Sequence, residues 1–350
     1  MSPQAPLPPP SAAEAPDVAA PRTASGPVLS VQDLSVSYWG GAGPARAVDQ
    51  VNLELAPGEF VAVVGESGCG KSTLLFSIAK LLTPPAEVTG GQVVFGGQNM
   101  VAMTDKQLRA VRWRGMSVVM QSAMNALNPV ASVRAQFADA MKAHGERRKD
   151  VVLARSEEVL RMVGIDPVHL SSYPHQLSGG MRQRVRIAMA RLFSPELILM
   201  DEPTSALDVV AQRSLMVQVK QLQAQLGFAI IFVTHDMSLV SHFSDRVVVM
   251  YAGQVVEQSP TRPLFDGPMH PYAQGLLEAF PSVYGPRVPL LGIPGNPPDL
   301  AQLPQGCNFN PRCPRATDRC RAESPRLVEL GDRRVRCLLY EPGGTDGAKP

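Results

Sequence analysis

The stretch that most constrains this chain is Gly65-Glu66-Ser67-Gly68-Cys69-Gly70-Lys71-Ser72-Thr73. Its outer glycines are separated by four residues and followed by Lys and a hydroxyl, a pattern that carries meaning only between a strand and a helix. Both flanks are present. Phe60-Val61-Ala62-Val63-Val64 reads as a buried strand, and Leu74-Leu75-Phe76-Ser77-Ile78-Ala79 as the first turns of a helix. Gly65, Gly68 and Gly70 free the backbone to bend, so that successive N–H groups face phosphate oxygens with a helix N-terminus behind them. Lys71 then reaches the β- and γ-phosphates, and the Ser72 hydroxyl sits on Mg²⁺. A glycine-rich turn that binds nothing is the competing reading, disfavoured by the complete and correctly flanked pattern. The segment predicts a nucleoside triphosphate site in an α/β fold.

Composition narrows the surroundings. At 350 residues the chain has room for two or three domains, and 45% hydrophobic with 18% charged residues is ordinary for a globular protein. A net charge of +2 and 5% aromatics argue against a nucleic-acid partner. No run approaches the roughly 18 apolar residues that span a bilayer. Residues 1–27, rich in Pro and Ala, carry Glu14 and Asp17 and lack an apolar signal region, so a disordered tail is expected there. A second flexible tail is expected over 341–350. The protein should stay in the cytoplasm and reach a membrane only through partners.

Leu29-Ser30-Val31, Leu34-Ser35-Val36-Ser37-Tyr38 and Val51-Asn52-Leu53-Glu54-Leu55, split by Gly40-Gly41-Ala42-Gly43-Pro44, predict antiparallel strands. Further strands are expected at Gln92–Phe95, Met116–Met120, Leu197–Met200, Ala229–Val233 and Val247–Tyr251, with a polar helical stretch over about 123–177. Strands alternating with helices imply a mainly parallel sheet covered on both faces. Beyond about residue 265 the composition turns to Pro, Gly and Cys, which predicts a small C-terminal module over 266–340.

Leu197-Ile198-Leu199-Met200-Asp201-Glu202 is an apolar strand ending in two carboxylates. Asp201 suits the Mg²⁺ shell begun by Ser72. Glu202 can orient and polarise an attacking water, a role that typically contributes about 10²–10⁴-fold. Such a pair alone is a common surface feature, and the phosphate loop upstream gives it weight. Leu177-Ser178-Gly179-Gly180-Met181-Arg182-Gln183-Arg184 then matches the signature of ATP-binding cassette proteins. Tyr38, Gln121, Ser205-Ala206-Leu207-Asp208 and His235 stand where that family has its adenine-stacking aromatic, Q-loop glutamine, D-loop and switch histidine. The chain resembles the ATPase subunit of an ABC transporter.

That resemblance implies a P-loop core with an antiparallel β subdomain and a helical subdomain. It implies that Gln121 contacts Mg²⁺ and water, and that His235 hydrogen-bonds the γ-phosphate. Ser178, Gly179 and Gly180 open a helix, offering N–H groups and a positive dipole end to an anion. By resemblance they cap the ATP held by a second cassette, identical or paralogous, in a head-to-tail dimer.

Gln121 to Pro129, His270-Pro271-Tyr272 with Leu276-Leu277, and Cys307 to Pro314 followed by Cys320 and Cys337 resemble the dipeptide/oligopeptide importer branch, over about residues 28–340. The resemblance implies two transmembrane permease subunits, an extracytoplasmic solute-binding protein and a peripheral position on the cytoplasmic face of the inner membrane. Nickel, glutathione or another small solute is the alternative cargo, because specificity resides in subunits other than this one. The four C-terminal cysteines are not spaced as Cys-x-x-Cys zinc pairs, and a reducing cytoplasm disfavours disulfides. Four thiolates fit Cys₄ ligation. The branch implies a [4Fe–4S] cluster at Cys307, Cys313, Cys320 and Cys337, with zinc or no metal as alternatives. Its role is expected to be structural or regulatory, since nothing in the sequence puts it near the nucleotide. Cys69 reads as a small filler inside the loop. A non-transport cassette ATPase acting on DNA or the ribosome would carry two motif sets or long insertions, which this chain lacks. A binding module without turnover would not need Glu202 and His235.

Overall fold

The computed structural model describes residues 26–40, 43–120, 127–205, 207–279 and 292–341. In chain order its strands are β1 (Leu29–Gly40), β2 (Gly43–Leu55), β3 (Phe60–Val64), β4 (Ala86–Phe95), β5 (Gln98–Asn99), β6 (Met116–Val119), β7 (Leu197–Asp201), β8 (Ala229–Val233), β9 (Arg246–Tyr251), β10 (Gln254–Pro260), β11 (Leu327–Leu330) and β12 (Arg333–Arg336). They form a four-stranded antiparallel sheet, β2-β1-β4-β5, and an eight-stranded sheet, β11-β12-β10-β9-β3-β8-β7-β6.

The central five strands of the large sheet, β9-β3-β8-β7-β6, run parallel. Their apolar runs have a simple cause, because both faces are buried. Phe60, Ala62 and Val64 of β3 pack into one core with Phe137, Val159 and Val185 of the helices. Val61 and Val63, one residue out of phase, pack into a second core with β1, β2 and the helix Lys71–Ile78. Full burial of one such side chain contributes roughly 1.5–3 kcal/mol. A polar residue anywhere in β3 would face one of these cores.

The fragments expected around residues 29–55 are two long strands, with register shifts between Val31 and Leu34 and between Leu34 and Val36. Asp33 and Gln50 adopt φ of 47°, interrupting the alternation that made the sequence look like separate pieces. The helical stretch contains Val133–Ala143 and Lys149–Met162, and the run Glu146-Arg147-Arg148-Lys149-Asp150 opens the second of these. The strand expected over Met116–Met120 ends at Val119, and the Met120 side chain is exposed.

The C-terminal hairpin β11–β12 continues the large sheet through β10, with Glu257 opposite Val335 and Gln258 opposite Arg334. Glu257, fully buried, accepts from the amides of Met269 and His270 and from Arg333. A buried carboxylate is tolerated only with such a partner set. The residues beyond 266 are therefore tied to the core by a sheet and by a buried ion pair.

Candidate functional site

Because β3, β7 and β8 are parallel, their C-terminal ends open onto one edge of the sheet, where ligands of open α/β sheets sit. The loop after β3 carries residues 65–73, β7 ends at Asp201, and His235 follows β8 by two residues. Ser72 Oγ donates to Asp201 Oδ1 at 3.0 Å, joining positions 129 apart in sequence. His235 Nδ1 lies 3.2 Å from Glu202 Oε1, with the histidine exposed and the glutamate largely covered. The fold thus brings Ser72, Asp201, Glu202 and His235 together. Glu202 adopts φ of 41°, and its amide donates to Val233 O. Burial, with the neighbouring Glu202 charge, pushes the Asp201 carboxyl up against the opposing pull of Ser72 and Lys71. A hydroxyl and a carboxylate oxygen at hydrogen-bond distance are hard donors of the kind Mg²⁺ takes.

The loop itself is wound tight. Gly70 has φ of 104°, and a Cβ there would meet Ala47 O at 2.0 Å, so only glycine fits. A Cβ on Gly68 would meet nothing within 4 Å, so what glycine supplies there is a φ of 79° rather than room. Lys71 is buried and donates to the carbonyls of Gly65 and Glu66, both at 2.8 Å. Burial raises the Cys69 thiol, in keeping with a filler. Tyr38 OH lies 3.2 Å from Thr73 Oγ1, which sets its ring beside the start of the helix.

Ser178 caps the helix Gly179–Ala190, accepting from Met181 N at 3.2 Å, and is exposed. Asp208 caps Val209–Leu226 through Ala211 N and is exposed as well. Among the described residues, no hydrogen bond or ion pair joins Ser178, Gly179, Gly180 or Asp208 to the phosphate loop. Gln121 and Ala206 lie outside the described residues, as do most of the two expected tails.

The C-terminal segment reaches the phosphate loop through Tyr272 and Arg312. His270 caps the helix Pro271–Glu278 by accepting from Tyr272 N at 3.0 Å, and Pro271 occupies the first helical position. This aims the fully buried Tyr272 at the loop, where its hydroxyl accepts from the Glu66 amide at 2.8 Å. Arg312 forks onto the Glu66 carboxylate at 2.7 and 2.9 Å. Sequence reasoning gave Arg312 no role, because its partner lies 246 residues away and no spacing rule connects them.

The cysteine expectation needs correcting in part. Cys307, Cys313, Cys320 and Cys337 are all free thiols, and the Cys307 amide donates to Cys320 O. Their charges act on one another: burial first, then the neighbouring cysteines, pushes Cys307 up to about 11 and Cys337 up to about 12. Yet no group of three or more His, Cys, Asp or Glu side chains among the described residues is arranged to hold a metal ion. Cys320 Sγ instead sits 3.3 Å from Thr317 Oγ1.

Residues 48–205 match the ABC transporter family, and residues 256–320 match the C-terminal region of oligopeptide/dipeptide transporters. The dipeptide transport ATP-binding protein DppD of Escherichia coli is 41% identical over 313 residues, covering 89% of this chain and 96% of that protein. This chain belongs to the dipeptide/oligopeptide family of ABC transporter ATP-binding subunits. DppD of Caldanaerobacter subterraneus subsp. tengcongensis is 39% identical over 90% of this chain and 98% of its own length. A dimeric ATP-binding cassette in a post-hydrolysis state, bound to ADP and Pi, superposes with a TM-score of 0.60 at 29% identity, covering 67% of this chain and 99% of that one. As a Dpp/Opp-family subunit, the chain is an ABC-type ATPase coupled to peptide import. Among the described residues no helix is long and apolar enough to cross a membrane.

Proposed function

We propose that this Dpp/Opp subunit hydrolyses ATP in a site completed by a second cassette, and that closure of the pair drives two permease subunits from the cytoplasmic face of the membrane. The observation that carries the reading is the convergence of the Ser72–Asp201 and Glu202–His235 pairs beside the phosphate loop. Lys71 exchanges the carbonyls of Gly65 and Glu66 for phosphate oxygens, and Tyr38 stacks on the adenine. Ser72, Asp201 and Gln121 would hold Mg²⁺, which would neutralise charge on the phosphate oxygens. Glu202 takes the proton of the attacking water, and His235 steadies that carboxylate and reaches the γ-phosphate. Ser178, exposed at its helix start, and Gly179, Gly180 and Asp208 make no hydrogen bond to the phosphate loop among the described residues, which suits a role on the partner's ATP. A solute-binding protein delivers cargo on the other side of the membrane.

The test is uptake of labelled dipeptide by the complete transporter in proteoliposomes, with phosphate release followed in parallel. Unlabelled dipeptides should compete, whereas competition only by nickel or glutathione would move the cargo assignment.

A [4Fe–4S] cluster on Cys307, Cys313, Cys320 and Cys337 is what the family resemblance implies, and all four are free cysteines of one segment. Binding it would require the thiols to deprotonate and turn inward together. Protein purified without oxygen should then contain iron and acid-labile sulfide. One zinc per chain, or no metal, would remove the cluster.

A further inference from the structure

Glu66 is the one acidic residue within the phosphate loop, and all of its polar groups are taken up. Its carbonyl receives Lys71, its amide donates to Tyr272, and its carboxylate is gripped by both terminal nitrogens of Arg312. Arg312 is itself immobilised. Its Nε donates to Pro294 O at 2.8 Å, one terminal nitrogen also reaches Ile293 O and the other Tyr251 OH, and the side chain is 5% exposed. It sits in the turn Asn310–Arg312 between Cys307 and Cys313, closed by Arg312 N donating to Phe309 O and Cys313 N donating to Asn310 O, and Asn310 N donates to Cys307 O ahead of it. Glu66 keeps a quarter of its side chain open to solvent, on a loop built to receive an anion. An unpaired carboxylate there would repel a triphosphate, and at such short range the effect amounts to about tenfold or more in affinity.

We propose that Arg312 and Tyr272 are positioning residues of the ATPase: the C-terminal segment clamps Glu66, fixes the curvature of the phosphate loop and cancels a carboxylate that would otherwise oppose nucleotide. A fork of two parallel N–H bonds supplies direction as well as charge, which a lysine cannot reproduce. The clamp makes the C-terminal segment, remote in sequence, part of the machinery that sets ATP affinity.

The experiment measures KM for ATP and kcat of the assembled transporter for R312Q, R312K, E66Q and the double variant E66Q/R312Q. R312Q should raise KM about tenfold with kcat changed less than threefold, and R312K should fall between R312Q and wild type. The KM defect of R312Q should shrink when salt is raised from about 50 to 500 mM, because a partly exposed like charge is screened. In the E66Q background, whatever E66Q does alone, adding R312Q should change KM by less than twofold. The double variant exchanges an ion pair for two amides and so guards against a single variant that fails to fold. An R312Q effect of equal size in both backgrounds, a loss confined to kcat, or an unchanged KM would each overturn the proposal.

Discussion

Replacing Glu202 by Gln isolates the chemical step. The amide keeps the shape of the side chain, the backbone stays at φ of 41° with its bond to Val233 O, and the side chain can still hydrogen-bond His235. What disappears is the capacity to accept a proton. His235 is 69% exposed, so its contact with Glu202 is screened, and its loss costs at most about 1 kcal/mol of stability. Loss of a positioned general base costs about 10²–10⁴-fold in rate, which is about 2.7–5.4 kcal/mol of barrier at 1.36 kcal/mol per tenfold. ATP affinity should hold, because Lys71 and the Ser72–Asp201 pair are untouched. ATP that binds but does not turn over should hold two cassettes closed. The assay is phosphate release from the assembled complex, alongside light scattering of the isolated subunit with Mg²⁺ and ATP. Turnover within threefold of wild type, or a loss of ATP affinity matching the loss of rate, would refute the assignment.

Three further outcomes are expected. Ser178→Arg should leave the ATP dissociation constant of the isolated subunit within about twofold while lowering complex turnover at least about tenfold, and loss of the cap on Met181 N should cost about 1 kcal/mol in urea unfolding. Gly70→Ala should abolish nucleotide binding in a fluorescent-ATP titration, because its Cβ cannot coexist with Ala47 O at 2.0 Å and a φ of 104°. Burial depresses His270 to about 3, so between pH 6.5 and about 3 the unfolded chain binds a proton that the folded chain refuses. Stability should therefore fall with falling pH across that window, by up to about 1.4 kcal/mol per unit from this group, and His270→Asn should flatten the slope of urea midpoints between pH 7 and 5.

Much of the site was legible because its signals are local. A phosphate loop needs its glycines, Lys71 and Ser72 within nine residues, and a buried parallel strand announces itself as an apolar run ending in Asp201. The long strands β1 and β2 were less legible, because bulges at Asp33 and Gln50 break the period of two that would have joined their pieces. The C-terminal region was legible from its Pro, Gly and Cys content, but its backbone pairing with the cassette's sheet through β12 and β10 leaves no trace in composition.

By itself the sequence determined what depends on near neighbours along the chain: the glycine-permitted loop, the strand and helix flanking it, and the carboxylates that end β7. Only the tertiary structure decided which distant groups meet. The Ser72–Asp201 bond exists because parallel strands deliver their ends to one edge of the sheet. Tyr272 meets the Glu66 amide because His270 and Pro271 start its helix there, and Arg312 reaches the Glu66 carboxylate from the turn Asn310–Arg312. Such pairings are selected by burial and charge in three dimensions, and no spacing along the chain encodes them.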